Sequence, residues 1–260
     1  MLEELLRAIR EEGAVMRGAL AAEIRAEEKS GPEDLVTNYD TLVQRHLEEK
    51  LHALLPQAGF LGEEGLRVPT GDGSVFIIDP IDGTMNFSRG YQRSSISVAL
   101  ARDGQAVLGA VYDPYLNELF WAERGRGAFC NGRPICVSDR PLERGIVMFG
   151  TAPYYREIAA KTFALGRALF DRSLDVRRSG SAAIDLCSVA AGRVEVFYEF
   201  RLSPWDYAAA GLILEEAGGV IRTIEGGPVS LTVKSSVLAA NGTAWEAARQ
   251  ITQEVCRIDP

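Results

Sequence analysis

Residues 75–87 read Val75-Phe76-Ile77-Ile78-Asp79-Pro80-Ile81-Asp82-Gly83-Thr84-Met85-Asn86-Phe87. A short apolar run of β-formers bounded by turn residues predicts a buried strand. This strand ends in two carboxylates, Asp79 and Asp82, and a Gly-Thr turn follows at once. Carboxylates at the carboxyl end of a strand sit where an α/β fold places its chemistry. Asp-Pro and Asp-Gly are also ordinary turn pairs. A turn alone leaves unexplained why a strand of Val, Phe and Ile should end in two acids. Hard oxygen ligands beside a backbone-exposing glycine suit Mg²⁺ and a phosphate better than they suit a core. Asp79 and Asp82 can converge on one ion across the turn, with the Ile81 carbonyl between them.

Outward from this strand, Leu2, Leu5, Leu6, Ile9, Met16, Leu20 and Ile24 recur at helical steps and predict one long helix over 2–28. Residues 29–40 read as a loop or short hairpin, and 40–55 as a second helix stopped by Pro56. Strands are expected at 74–79, 94–101, 106–112 and 118–122, with Asp103-Gly104 turning a hairpin. The turn-rich stretch 124–134 ends this antiparallel part. Beyond it, helices at 154–169, 181–191, 205–217 and 243–256 alternate with strands at 193–200, 220–223 and 237–240. The expected organisation is an N-terminal α+β lobe, 1–140, carrying most of the acidic ligands. An α/β lobe, 141–260, completes the site. The two make one compact unit with a cleft between them.

The chain has 260 residues, is 47% hydrophobic and carries a net charge of −8. It has no basic tract, so nucleic acid is not the expected partner. An acidic protein still binds an anion if metal ions invert the local field. No apolar stretch approaches the roughly 20 residues needed to span a bilayer, and the N-terminus lacks a signal peptide's basic start. Cys130, Cys136, Cys187 and Cys256 form no CxxC pair, which fits reduced thiols and a cytoplasmic protein.

Two further acid sites matter. Gly62-Glu63-Glu64-Gly65 reads alone as a solvated pair, and Asp206 in Ser203-Pro204-Trp205-Asp206 as an acid complementing a helix N-terminus. Read jointly with Asp79 and Asp82, they make the carboxylate set of a two- or three-metal phosphoryl-transfer site. Gly83-Thr84 would supply its anion nest. Walker A, Gly-x-Ser-x-Gly and EF-hand patterns are missing. The two histidines, His46 and His52, fall on a predicted amphipathic helix, which argues against histidine-based nucleophilic catalysis.

At this point the chain resembles the inositol monophosphatase family of metal-dependent, lithium-sensitive phosphatases. The resemblance rests on Asp34-Leu-Val-Thr37 followed by Asp40, on Gly62-Glu63-Glu64, and on Asp79-Pro-Ile-Asp-Gly-Thr84. It continues through Gly125-x-Gly-Ala-Phe-x-Asn-Gly132, Gly180-Ser181-Ala182-Ala183, Trp205-Asp206 and Glu216-Ala-Gly-Gly219. It implies a mixed α/β, layered αβαβα sandwich and a homodimer. It implies that Glu63, Asp79 and the Ile81 carbonyl hold one Mg²⁺, that Asp79, Asp82 and Asp206 hold a second, and that Glu63 reaches a weaker third. Thr84 paired with Asp40 would activate the attacking water, with Glu63 completing the catalytic set. Asp82, Asp206 and the Gly83 and Thr84 amides would face the phosphate. Gly180, Ser181, Ala182 and Glu199 would face the alcohol half. Lys29 matches a lysine on a mobile loop near the metals.

Phosphate monoesters carry about two negative charges at neutral pH, so a cluster of acids repels them unless cations arrive first. Arg201 follows Glu199 and stands where a second anion would be met, although a surface arginine is the simpler reading. The segment 149–155 falls where the family has a pocket loop. The expected substrate is inositol 1-phosphate or a similar small alcohol phosphate. The alternatives are fructose 1,6-bisphosphate, histidinol phosphate and phosphoadenosine- or NADP-type nucleotides. A regulatory, protein-binding member is the alternative of another class.

Overall fold

The computed structural model describes residues 1–20, 22–65 and 67–257. The first half carries α1 (Leu2–Gly18), β1 (Ala26–Gly31), β2 (Asp34–Thr37), α2 (Asn38–Leu54), β3 (Gly59–Gly62), β4 (Arg67–Val68), β5 (Ser74–Asp82) and α3 (Thr84–Ser88). A meander follows: β6 (Ser95–Arg102), β7 (Gln105–Asp113), β8 (Glu118–Glu123), β9 (Ala128–Cys130) and β10 (Arg133–Ile135). The second half carries β11 (Ile146–Phe149), α4 (Ala159–Phe170), β12 (Asp175–Arg177), α5 (Ala182–Ala190), β13 (Val196–Leu202) and α6 (Pro204–Glu216). It ends with β14 (Val220–Arg222), β15 (Ser235–Ala240) and α7 (Gly242–Arg257).

An eight-stranded sheet runs β10-β9-β8-β7-β6-β5-β3-β4, antiparallel except where β3 lies parallel to β5. A five-stranded mixed sheet runs β12-β11-β13-β15-β14. Alternation along β5 decides the layering. Phe76 and Ile78 pack with Leu5, Ile9, Val43 and Leu47 of α1 and α2, whereas Ile77 packs with residues of α5 and α6. The inner face of the small sheet, Phe197 and Ala239, covers the other side of α5 and α6. Its outer face, Val196, Tyr198 and Leu238, packs on α4 and α7. The order is therefore αβαβα, as the resemblance implied.

The middle helices are apolar nearly all round because both faces are covered. Close approach is built in at Gly109 of β7. A Cβ there would lie 2.6 Å from the Ala209 carbonyl oxygen and 3.0 Å from its Cα, both backbone atoms of α6. Gly109→Ala is expected to cost about 3 kcal/mol by this rigid overlap. At this chain length that lowers the melting temperature by roughly 6–12 °C. An unchanged thermal midpoint would show that the layers yield freely.

The structure corrects several expected elements. The helix expected over 2–28 stops at Gly18, because Ala19 turns extended and residues 26–31 pair with 34–37 as a hairpin. The face that α1 buries ends at Met16, and Leu20 is exposed, so helical spacing beyond it has nothing to pack on. Residue 21 of that expected helix, and residues 258–260 of the expected second lobe, lie outside the described residues. The helix expected at 154–169 starts at Ala159, and the strand expected at 193–200 runs 196–202. The segment before α4 is drawn instead into the cleft wall, where the Ala152 amide donates to Glu199.

Candidate active site

The carboxyl ends of the parallel strands β3 and β5 lie side by side and open into a cleft of about 420 Å³. Between Asp79 and Asp82 the pairing of β5 with β6 shifts register. Such a bulge re-aims side chains, and both aspartates line the cleft. Asp79 Oδ1 accepts the Ile81 amide at 3.0 Å. The chain then turns through Gly83, at φ +94°, where a Cβ would stand 3.0 Å from the Arg93 carbonyl and 3.1 Å from that of Gly180. Only glycine meets both demands.

Thr84 opens α3. Its Oγ1 lies 3.0 Å from Asp40 Oδ1 and 3.0 Å from the Ile81 carbonyl oxygen. A hydroxyl has one proton, so it donates to one of these at a time. Asp40 is fully buried and serves as the acid of the capping box that starts α2, accepting the Thr37 amide at 2.8 Å. Burial pushes its carboxyl up to about 6, against the pull of hydrogen bonds from Thr37 and Thr84.

Asp82 ties the halves of the chain together. It accepts the Ser181 hydroxyl at 2.5 Å and the Ala183 and Ala182 amides at 2.7 and 3.3 Å. These donors form the start of α5. Burial raises Asp82 to about 6 even so. Gly180, Ser181 and Ala182 line the cleft, and the Ser181 hydroxyl and the Ala182 amide donate to Asp82.

Glu63 follows β3, and Asp206 sits in the first turn of α6. The Asp206 Oδ2 accepts the Ser203 amide at 2.7 Å in a capping box, so helix capping and cleft lining coincide in one residue. Burial pushes Glu63 up to about 7, with Lys29 opposing and Glu64 and Asp40 adding to it. Burial lifts Asp79 and Asp206 well above the carboxylate range. Glu63 and Asp82 are the strongest charges acting on Asp79, Asp82 and Glu63 those acting on Asp206. Lys29 Nζ reaches Glu64 at 2.5 Å and Glu63 at 3.4 Å, which holds this part of the β1–β2 hairpin over the acids.

Glu199 of β13 accepts the Ala152 amide at 2.7 Å, and burial raises it to about 7. Arg201, two residues on, stacks its guanidinium 4.4 Å from the Tyr155 ring centre. Lys234 Nζ donates to the Tyr155 hydroxyl at 2.6 Å. All three line the cleft.

Of the residues to which the sequence gave a catalytic, metal-holding or substrate-facing role, all but Asp40 line this one cleft, and Asp40 stands behind Thr84. Sequence reasoning missed Arg178, Asp185 and Lys234, which line it too. Asp185 lies two residues beyond the Gly180–Ala183 motif, and its acid in an apolar helix was the available signal. Lys234 had none, because its segment carries no periodicity.

Among the described residues, no three acidic, histidine or cysteine side chains stand in a closed metal cage. The donor chemistry nonetheless fits a hard divalent cation: buried oxygens of one sign, each made harder to ionise by burial and by its neighbours.

The sequence model described as "Inositol monophosphatase family" matches residues 1–259. The chain belongs to the inositol monophosphatase family. It is 36% identical over 235 residues to the inositol-1-monophosphatase of Bacillus subtilis, covering 90% of this chain and 89% of that protein. It is 36% identical over 229 residues to the fructose-1,6-bisphosphatase/inositol-1-monophosphatase of Thermotoga maritima, covering 88% and 86%. Among solved structures, the extragenic suppressor protein suhB of Bartonella henselae superposes with a TM-score of 0.92 at 32% identity, over 97% of this chain and 98% of that one. An IMPase/NADP phosphatase complexed with Mg²⁺ and phosphate superposes at 0.81 with 27% identity, over 93% and 90%. Family membership and that complex support a divalent metal cofactor for a phosphatase of this superfamily.

Proposed function

We propose that the cleft is a Mg²⁺-dependent phosphomonoesterase site for small polyol phosphates, with inositol 1-phosphate as the leading substrate. The observation that carries this reading is the Thr84–Asp40 pair, at 3.0 Å, set beside the converging carboxylates. Glu63, Asp79, the Ile81 carbonyl, Asp82 and Asp206 are the metal-holding residues in this reading. Bound there, Mg²⁺ would supply positive charge for a phosphate dianion and Lewis acidity toward the attacking water and the leaving oxygen.

The chain's own residues supply the rest. While Thr84 donates its proton to Asp40, its oxygen accepts a proton from water. Asp40, at about 6, is a stronger base than an ordinary aspartate and is still mostly ionised at neutral pH. The amides of Gly83 and Thr84 are the phosphate grip. Glu199 meets a hydroxyl of the alcohol half.

Phosphate release from inositol 1-phosphate is expected with Mg²⁺, is lost in EDTA and is suppressed by Li⁺. Metal-independent release, or none, would overturn the proposal.

A second reading is favoured by the basic end of the cleft. Among the described residues, Arg201 and Lys234 converge on Tyr155 and neither pairs with a carboxylate. Two cations around one ring form a binding place for a second phosphate, as in fructose 1,6-bisphosphate. Arg201→Ala is expected to lower kcat/KM for fructose 1,6-bisphosphate about tenfold while changing inositol 1-phosphate by less than about twofold. Equal losses on both substrates would remove this reading.

A further inference from the structure

Most carboxylates of the cleft have a hydrogen-bond donor assigned to them. Asp82 has the start of α5, Asp206 the Ser203 amide, Asp79 the Ile81 amide and Glu199 the Ala152 amide, and Asp40, behind Thr84, has Thr37 and Thr84. Asp185 differs. It lines the same cleft from the first turn of α5 and is 1% exposed, yet its Oδ1 has no hydrogen-bond partner. An acid in the first turn of a helix complements the helix dipole. That accounts for its position but not for a buried oxygen left bare. An unpaired buried carboxyl oxygen destabilises a fold, and one on a residue that lines a cleft can take its partner from what the cleft binds.

The surroundings narrow what that partner is. Asp82 and Glu199 both act electrostatically on Asp185, so a phosphate dianion would be repelled there. Burial raises the Asp185 carboxyl to about 8, against hydrogen bonding from Ser179. A protonated carboxyl offers one donor and one acceptor, as does an alcohol hydroxyl. Glu199 offers a second carboxyl on the same cleft.

We infer that Asp185 is a specificity-determining residue which, together with Glu199, reads the hydroxyls of the polyol half of the substrate. The inference rests on the phosphomonoesterase reading of this cleft. It assigns Asp185 to the alcohol and leaves the phosphate to the metal-holding residues. It also separates polyol phosphates from phosphate esters that lack hydroxyls.

The test compares wild type, Asp185→Ala and Asp185→Asn on inositol 1-phosphate and on p-nitrophenyl phosphate, which has no hydroxyl to read. KM and kcat are measured separately at saturating Mg²⁺, with thermal midpoints alongside. Asp185→Ala is expected to raise KM for inositol 1-phosphate about tenfold and to leave p-nitrophenyl phosphate within about twofold. Asp185→Asn, whose amide keeps a donor and an acceptor, is expected to return KM to within about threefold of wild type. Neither variant is expected to melt below wild type, since each removes a poorly satisfied acid. Parallel losses on both substrates, or an unchanged KM for inositol 1-phosphate in Asp185→Ala, would overturn the inference while the phosphomonoesterase reading stands. A wild-type protein that releases phosphate from neither substrate would mean that the phosphomonoesterase reading has failed, and this inference with it.

Discussion

Asp82→Asn is expected to lower turnover of inositol 1-phosphate by about 10³-fold or more while leaving the fold intact. The side chain keeps its size, and an amide oxygen still accepts from the Ser181 hydroxyl and the Ala183 amide. What disappears is one negative charge at the point where both halves of the chain meet. In the proposed function that charge holds a cation against the phosphate. The variant therefore binds Mg²⁺ more weakly and misplaces what it binds. Circular dichroism like that of wild type, with phosphate release near background, is the expected pair of results. Wild-type turnover at saturating Mg²⁺ would remove Asp82 from the metal-holding set.

Without metal, the protein is expected to lose stability as pH rises from about 4 to about 8. Asp40 and Asp82 move from an ordinary 3.8 to about 6 on folding, and Glu63 from 4.5 to about 7. Asp79 and Asp206 move further in the same direction. Within that window the unfolded chain has released protons that the folded chain still holds. The stabilisation is complete below the ordinary values and is lost as pH passes through the raised ones. Two units on one buried acid correspond to about 3 kcal/mol. The groups interact, so their effects do not add. A drop in melting temperature of roughly 10 °C between pH 5 and pH 8 in EDTA is the expected scale. Mg²⁺ favours the ionised acids, so its stabilising effect grows over the same interval. Calorimetry at both pH values, with EDTA and with Mg²⁺, checks this. A melting temperature in EDTA that is flat or rises with pH would show that the acids do not repel one another as their burial implies.

The legible parts of the molecule were those where one local pattern answers to one physical demand. The run Val75–Ile78 had to be a buried strand, and acids at its end had to face something other than a core. Gly83 had to be glycine, and the structure shows why in a left-handed turn crowded by two carbonyls. The helix start near 205 was legible through Asp206, an acid of its first turn, whereas the second helix, expected from 40, begins at Asn38 behind the Thr37 cap. The failures came where tertiary pairing overrides local periodicity. Residues 26–28 fall at the tail of the expected helix, yet pair as a strand because 35–37 lie opposite them. Short strands such as Gly59–Gly62 and Asp175–Arg177 are too brief to show a period. In the site, the acids stood out because acids beside apolar runs are unusual. Lys234 did not, because only its distance from Tyr155 gives it meaning. The tie of Ser181 to Asp82 was not legible for a related reason. Its hydroxyl points to a carboxylate 99 residues earlier in the chain, a partner that no local pattern reveals.

That same bond fixes when the cleft comes into being. Asp82 emerges from the ribosome long before Ser181, Ala183 and Asp206, and nothing local can stand in for them. A nascent chain holding only the eight-stranded sheet carries acids whose clamp has yet to be synthesised. Contacts of such long sequence separation close late in folding. In the proposed function, Mg²⁺ affinity would therefore report folding of the chain through Asp206 rather than of its first half, and a product truncated before α5 would release no phosphate however well its first sheet had formed.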